Sequence, residues 1–286
     1  MKIIVTGSTG QLGSAVMREI NKHDDMIAVG LNSIVNIVNG DLIKKVICST
    51  HPDVIIHCAA YTAVDKAEEE EYEAYKVNVV GTRNIAEAAK ECGAKLVYIS
   101  TDYVYGERDD TIRSSRLNPL NVYGWTKLVG ERMVRNRIDN HFIIRTSWLF
   151  GIRGRNFPKF IVNSFNGNPA ATARVVNDQI GRPTYADDLA RLIIDMIQTD
   201  NYGTYDVCNE GEDVSWYEYA LEICKQWGFI NKIEPITSEE YNSKAKRQKD
   251  SRLNTAKLCA YGFTPLPNWK SALTRYWEVM FDDNNV

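Results

Sequence analysis

Eight residues near the amino terminus, Thr6-Gly7-Ser8-Thr9-Gly10-Gln11-Leu12-Gly13, restrict this chain more than any other stretch. They follow a β-rich run at 3–6 and open a helical run at 11–22. In such a strand–turn–helix unit the first glycine permits a tight turn, the second lets backbone approach a ligand, and the third lets helix and strand pack closely. The helix amino terminus then offers unpaired N–H groups and the positive end of its dipole to an anion. Gly7, Gly10 and Gly13 therefore point to a pyrophosphate site for a dinucleotide.

The rest of the chain extends that unit. Strand-like runs at 26–29, 54–58, 95–100 and 142–145 alternate with helical runs at 65–91 and 123–134. Strands and helices in this rhythm predict an α/β fold, a Rossmann-type doubly wound parallel sheet, with ligands at the carboxyl ends of the strands. Beyond Phe150 the rhythm loosens, with a loop at 151–156, helices at 187–198 and 215–227, and a tail holding Pro235, Pro265 and Pro267. The expected division is a dinucleotide-binding domain at 1–150 plus about 184–212. A smaller, interleaved substrate-binding domain takes 151–183 and 213–286. The basic stretch 244–249 reads as solvated.

Composition excludes several function classes. A net charge of -3 carries no basic excess for nucleic acid or anionic lipid. No apolar run reaches the ~18 residues of a membrane span, and strand residues follow Met1 without a leader, so a cytoplasmic protein is expected. The six cysteines show no two-residue spacing and read as reduced thiols. The four histidines lack ligand spacing, so no metal site is expected; His57, at a strand end, reads as a satisfied or half-buried core histidine.

Tyr123 and Lys127 stand four apart in a helical run, which puts phenol and ammonium on one face. A nearby cation favours the phenolate, so Lys127 is expected to lower the Tyr123 pKa and suit it to proton transfer. Tyr72 and Lys76 repeat the spacing, but beside Glu68-Glu69-Glu70-Glu71 they read as a solvated face. Thr101 directly follows the fourth strand, where its hydroxyl can donate to a substrate oxygen that gains charge. The acid that selects NAD at the end of the second strand is missing: Gly30-Leu31-Asn32 stands there. Without that repulsion toward a 2′-phosphate, NADPH is the favoured cofactor, with NADH also acceptable.

The spacing G-x-x-G-x-x-G resembles the extended branch of the short-chain dehydrogenase/reductase superfamily. The resemblance implies cofactor contacts from Thr9, Gln11, Leu12 and Asn32, adenine contacts from Asp41 and Leu42, and inner phosphate and ribose contacts from Ala59, Ala60, Tyr61 and Thr62. It also implies that Lys127 holds the nicotinamide ribose. Further motifs are Val64-Asp65, Ser100-Thr101-Asp102-Tyr103-Val104, Arg145-Thr146-Ser147-Trp148, Asn156-Phe157, Val176-Asn177-Asp178-Gln179 and Ser251-Arg252-Leu253-Asn254. With these the chain resembles the dTDP-4-dehydrorhamnose reductase family. That resemblance implies reduction of a nucleotide sugar at C4, with Tyr123 supplying the proton and Thr101 steadying the oxygen. It implies substrate contacts from Val64, Asp65, Asp102 and Tyr103, an apolar plate from Trp148, and nucleotide contacts from Asn156, Gln179 and Arg247.

Three departures accompany the resemblance. The segment 106–118 is shorter than the family's usual acidic loop and carries Arg108, Arg113 and Arg116. Gln248 follows Arg247 where the family usually has proline. Ala15 stands where some members carry a glutamate of a metal-bridged dimer, so that metal site is not expected, and a homodimer is left open. Two alternatives stand beside the reductase: an enzyme for another nucleotide-linked 4-keto-6-deoxy sugar, and a non-catalytic NADP-binding subunit.

Overall fold

The computed structural model describes the chain except for residues 33–34, 108–116, 166–167, 169–170, 230–231 and 283–286. The expectation about Arg108, Arg113 and Arg116 lies outside the described residues. Strand β1 (Lys2–Thr6) runs into α1 (Gln11–Ile20), followed by β2 (Ile27–Leu31), α2 (Gly40–Thr50) and β3 (Val54–His57). Next come α3 (Val64–Ala67), α4 (Glu71–Tyr75), α5 (Thr82–Cys92), β4 (Lys95–Thr101), α6 (Val122–Arg135) and β5 (His141–Thr146). A sixth strand, Gly203–Val207, completes a parallel sheet in which β2, β1, β3, β4, β5 and this strand lie side by side in that order. The order reverses direction between β1 and β3, which places the ligand crevice beyond their carboxyl ends.

Burial explains the sheet. All four residues of β3 are buried, as a strand covered on both faces requires. On one face α1 packs Leu12, Ala15, Val16 and Ile20 together with Leu189, Ile193 and Ile197 of α8 (Ala186–Ile197). These spacings form one helical stripe. On the other face Ile43 and Ile47 of α2 meet Ile85 and Ala89 of α5 over Ile55 and Leu96.

The run over 65–91, expected as one long helix or a helix pair, forms three pieces, the last two joined by a π-helical segment, Lys76–Gly81. Its wide turn buries Asn78, which accepts from Tyr61 N at 2.8 Å, donates to Tyr61 O at 3.1 Å and donates to Thr126 Oγ1 at 3.0 Å. Those bonds reward the irregular turn, and apolar periodicity carries no trace of them.

After β5 the chain leaves the sheet for α7 (Phe157–Phe165), returns with α8 and the sixth strand, and leaves again for α9 (Trp216–Trp227) and a carboxyl-terminal helix, Trp269–Asp282. The strand Thr172–Val176 pairs with Lys232–Ile236. Phe150, Ile161, Tyr219, Leu273 and Tyr276 pack as a second core in this layer. The looser reading of the second half therefore misses α7 and the carboxyl-terminal helix; the same reading of the first half misses α2. Among the described residues, no helix is long and apolar enough to cross a membrane.

Candidate active site

A cavity of about 820 Å³ opens at the carboxyl ends of the sheet strands, within the ~300–1,000 Å³ typical of ligand sites. Its floor is the glycine loop. Gly7 sits at φ +64°, and a Cβ there would lie 2.8 Å from Ala59 N. A Cβ on Gly13 would lie 2.1 Å from Gly7 O. The loop thus works only as glycine: side chains would push apart β1, α1 and the segment after β3. No side chain caps α1 at Gly10, so its first-turn N–H groups remain available to an anion at the cavity. His57, buried and neutral, hydrogen-bonds Thr6 Oγ1 at 2.7 Å and Thr82 Oγ1 at 3.2 Å, anchoring the end of β3. Burial, with the charge of Lys127, lowers its pKa to about 3. The cradle, its free helix end and its volume fit a dinucleotide.

The cavity gathers much of the expected set. Gly7, Thr9, Gly10, Gln11, Leu12 and Asn32 line it, as do Ala59, Ala60, Thr62 and Val64. Thr101, Asp102, Tyr103, Tyr123, Lys127 and Trp148 line the rest of the expected wall. Several expected contacts stand elsewhere. Gly13 packs behind the loop against Gly7 O. Asp41 and Leu42 occupy the first turn of α2, outside the lining, where Asn36 and Ile37 take their place. The Tyr61 hydroxyl turns away to donate to Glu70 at 2.7 Å. Asn156 accepts from Lys159 N in the first turn of α7 and donates to Gln11 Oε1 at 3.1 Å. Gln179 donates to Ser238 Oγ at 2.9 Å. Asp65 and Arg247 pair with each other, Nη1 to Oδ1 at 3.0 Å and Nη2 to Oδ2 at 2.7 Å. The Arg247 hydrogen bond holds the Asp65 carboxyl below its usual range.

Residues 244–249 are not the solvated stretch that their charge suggests. Ala245 and Gln248 are buried, Ala245 N donates to Asp65, and Lys246 O accepts from Asn121. Packing against α3 and α6 outweighs the charge of the exposed lysines. The cavity lining also includes Leu149, Gly154 and Arg155, which no sequence motif singled out.

At the centre, Asn121 caps α6 by accepting from Gly124 N at 2.8 Å, which sets Tyr123 in the first turn. Gly124 allows that turn to close on the segment after β4: a Cβ there would lie 2.2 Å from Tyr103 O. The rings of Tyr103 and Tyr123 meet edge to face at 5.8 Å. Thr101 Oγ1 donates to Asp102 Oδ1 at 3.0 Å, accepts from Tyr103 N at 3.2 Å and hydrogen-bonds Tyr123. Lys127 places its ammonium 4.1 Å from the centre of the Tyr98 ring.

The electrostatics correct one expectation. Tyr123 is not tuned downward by Lys127; burial, reinforced by Asp102, pushes its pKa up and keeps the phenol protonated. The group that shifts toward neutrality is Lys127, lowered to about 7 by burial against the opposing pull of Glu131. Burial also raises Asp102 to about 6, against hydrogen bonds from Ser251 and Thr101. A protonated phenol beside a hydroxyl, on the cavity wall, is suited to giving a proton to a carbonyl oxygen. Trp148 adopts φ +47° and stacks on Trp216 at 3.7 Å and 15°, presenting an aromatic wall to the same cavity.

The fold and the site define a Rossmann-type dinucleotide-binding protein that sets a tyrosine and a lysine one helical turn apart on the wall of its crevice. The UDP-glucose 4-epimerase of Thermus thermophilus, solved with NAD, has the same fold at a TM-score of 0.84 and 18% identity, over the whole of both chains. Within the class, this chain belongs to the family described as the RmlD substrate binding domain, which matches residues 1–281. It is 34% identical over 279 residues to the spore coat polysaccharide biosynthesis protein SpsK of Bacillus subtilis (strain 168), covering 97% of each chain. It is 33% identical to the dTDP-4-dehydrorhamnose reductase of Escherichia coli (strain K12), covering 98% of each. The crystal structure of dTDP-4-dehydrorhamnose reductase from Bacillus anthracis str. Ames, in complex with NADP, superimposes with a TM-score of 0.92 at 38% identity. That match covers 97% of this chain and 99% of the other.

Proposed function

We infer that this chain is an NADPH-dependent reductase of the C4 keto group of dTDP-4-dehydro-L-rhamnose, yielding dTDP-L-rhamnose. The observation that carries this reading is the grouping of Thr101, Tyr123 and Lys127 on the wall of the same cavity whose floor is the glycine loop. The full-length likeness to dTDP-4-dehydrorhamnose reductases supplies the substrate. The carboxylate-free end of β2 at Asn32 and the NADP in the Bacillus anthracis relative support the phosphorylated cofactor. Residues 1–150 with about 184–212 serve the cofactor, and 151–183 with 213–286 serve the sugar nucleotide.

The residues divide the work among them. The α1 amino terminus and the backbone of Gly7 and Gly10 bind the pyrophosphate. A reduced nicotinamide bound there supplies the hydride. Tyr123, kept protonated by its burial, gives its proton to the C4 oxygen as charge develops on it. Lys127 orients the nicotinamide ribose and, when charged, steadies the phenolate left on Tyr123. Thr101 holds the Tyr123 hydroxyl in place. Trp148 lies along the apolar face of the deoxy sugar. Asp102 and Tyr103 close the site on the β4 side.

The test is direct. Purified protein mixed with NADPH and dTDP-4-dehydro-L-rhamnose is expected to consume NADPH, and NMR of the product is expected to show the rhamno configuration. A talo or fuco product would move the assignment to another 4-keto-6-deoxy sugar. NADPH binding without turnover of any dTDP-4-keto sugar would favour a non-catalytic subunit.

A further inference from the structure

Gln248 lies in the segment that folds back onto the site, and its surroundings give it a task. Only 2% of it is exposed. Its Nε2 donates to the Asp102 backbone oxygen at 3.1 Å and lies 3.2 Å from both Asp102 Oδ2 and Ser251 Oγ. The other Asp102 oxygen accepts from Thr101 Oγ1 at 3.0 Å. A hydroxyl has one hydrogen to give. Thr101 gives that hydrogen to Asp102.

We propose that Gln248 is a positioning residue: its carboxamide, reaching in from residues 244–251, holds the Asp102 carboxylate turned toward Thr101. The Thr101 hydroxyl, donating to Asp102, is thereby fixed on the cavity wall that it shares with Tyr123. The proposal rests on the reading of Tyr123 as proton donor.

The frame around Gln248 is rigid enough for that task. Arg247 is held by Asp65, Ile180 N donates to Lys249 O at 2.8 Å, and Ser251 N donates to Ile180 O at 2.7 Å. The groups facing Asp102 are Tyr103 from its own turn, Tyr123 from α6, and Ser251 and Gln248 from the carboxyl-terminal segment. Arg247 approaches from the same segment and hydrogen-bonds Tyr103. An N–H donated to a carboxylate favours its charged form. Burial already raises Asp102 to about 6, so losing Gln248 would raise it further.

The test uses Gln248→Leu and, as a second variant that keeps the length of the side chain, Gln248→Met. In protein labelled with 13C at aspartate, the Asp102 side-chain carboxyl is titrated by NMR. Its midpoint is expected to rise by about one pH unit in both variants, a tenfold change in the protonation equilibrium. The acid limb of kcat is expected to move up with it, while KM and the NADPH dissociation constant, read by cofactor fluorescence, stay within about twofold. An unmoved Asp102 midpoint with an unmoved acid limb in either folded variant would overturn the proposal. The underlying reading fails differently: Tyr123→Phe would then remain active, whatever the Gln248 variants do.

Discussion

Tyr123 meets solvent poorly and charge unfavourably, and both effects hold its proton in place until a substrate oxygen competes for it. Tyr123→Phe keeps the ring packed against Tyr103 and removes only the hydroxyl. It is expected to lower kcat by roughly 10²–10³, in the range of general acid catalysis, with NADPH affinity nearly unchanged in fluorescence titration. Gly7 presents the opposite case, a residue whose value is its missing side chain. Gly7→Ala would face both a left-handed φ of +64° and a 2.8 Å approach to Ala59 N. A tenfold or greater loss of NADPH affinity is expected by isothermal titration, with a stability loss of about 1–3 kcal/mol from backbone strain. The glycine spacing was legible in the sequence because only glycine meets such a geometry. The direction of the pKa shifts was not, because it depends on how completely other elements bury each group.

Helix α6 shows how one element serves both chemistry and stability. Tyr123, Lys127 and Glu131 recur every four residues along it, but only the first two were recognisable as a functional pair. Glu131 is buried and takes Arg145 Nε at 2.8 Å on Oε1, Arg145 Nη2 at 2.7 Å on Oε2, and Ser100 Oγ at 2.6 Å. Burial alone would raise its carboxyl, but the hydrogen bonds and charge of Arg145, with Ser100 and Arg135, hold it below the ordinary carboxylate range. Its folded pKa is therefore depressed. The stability it contributes is present above its unfolded value of about 4.3 and is lost as pH falls through the folded value. Glu131→Ala would leave Arg145 buried without its partner and is expected to cost about 3–5 kcal/mol in denaturant unfolding at pH 7. A loss under about 1 kcal/mol would show that water or Tyr105 replaces the carboxylate. Nothing in a single sequence pairs Glu131 with Arg145, since β5 meets α6 only after the sheet is assembled.

Across the whole molecule the two layers are tied through α8. Asp188, near its start, accepts Arg275 Nη1 at 2.6 Å and Nη2 at 2.8 Å from the carboxyl-terminal helix, and Asn209 Nδ2 at 2.7 Å. Arg275→Met would leave that nearly buried carboxylate with Asn209. Tm is expected to fall by several degrees, at about 2–4 °C per kcal/mol for a chain of this size. Both layers should still melt together in calorimetry; two separated transitions would show that they fold independently. A second whole-molecule effect follows from His57, which folds neutral with a pKa depressed to about 3. The unfolded chain protonates it below about 6.5, so stability is full above that pH and is lost progressively as pH falls toward 3. His57→Gln is expected to lessen the drop in Tm between pH 7 and pH 5.

Local chemistry, readable in order along the chain, determined the glycine loop, five strands of the sheet with the helical runs at 11–22, 65–91 and 123–134, and the Tyr123–Lys127 pair. Each depends on spacing within one turn or one strand. Tertiary structure decided what those parts meet. It added a sixth strand from 203–207, folded 244–251 back onto the site, sent Asp65 to Arg247, moved Asp41 and Leu42 off the cavity and put Gln248 against Asp102. The physical reason is distance along the chain: residues up to 182 positions apart make these contacts, and a backbone pattern of period 2 or 3.6 carries no information about partners that far away.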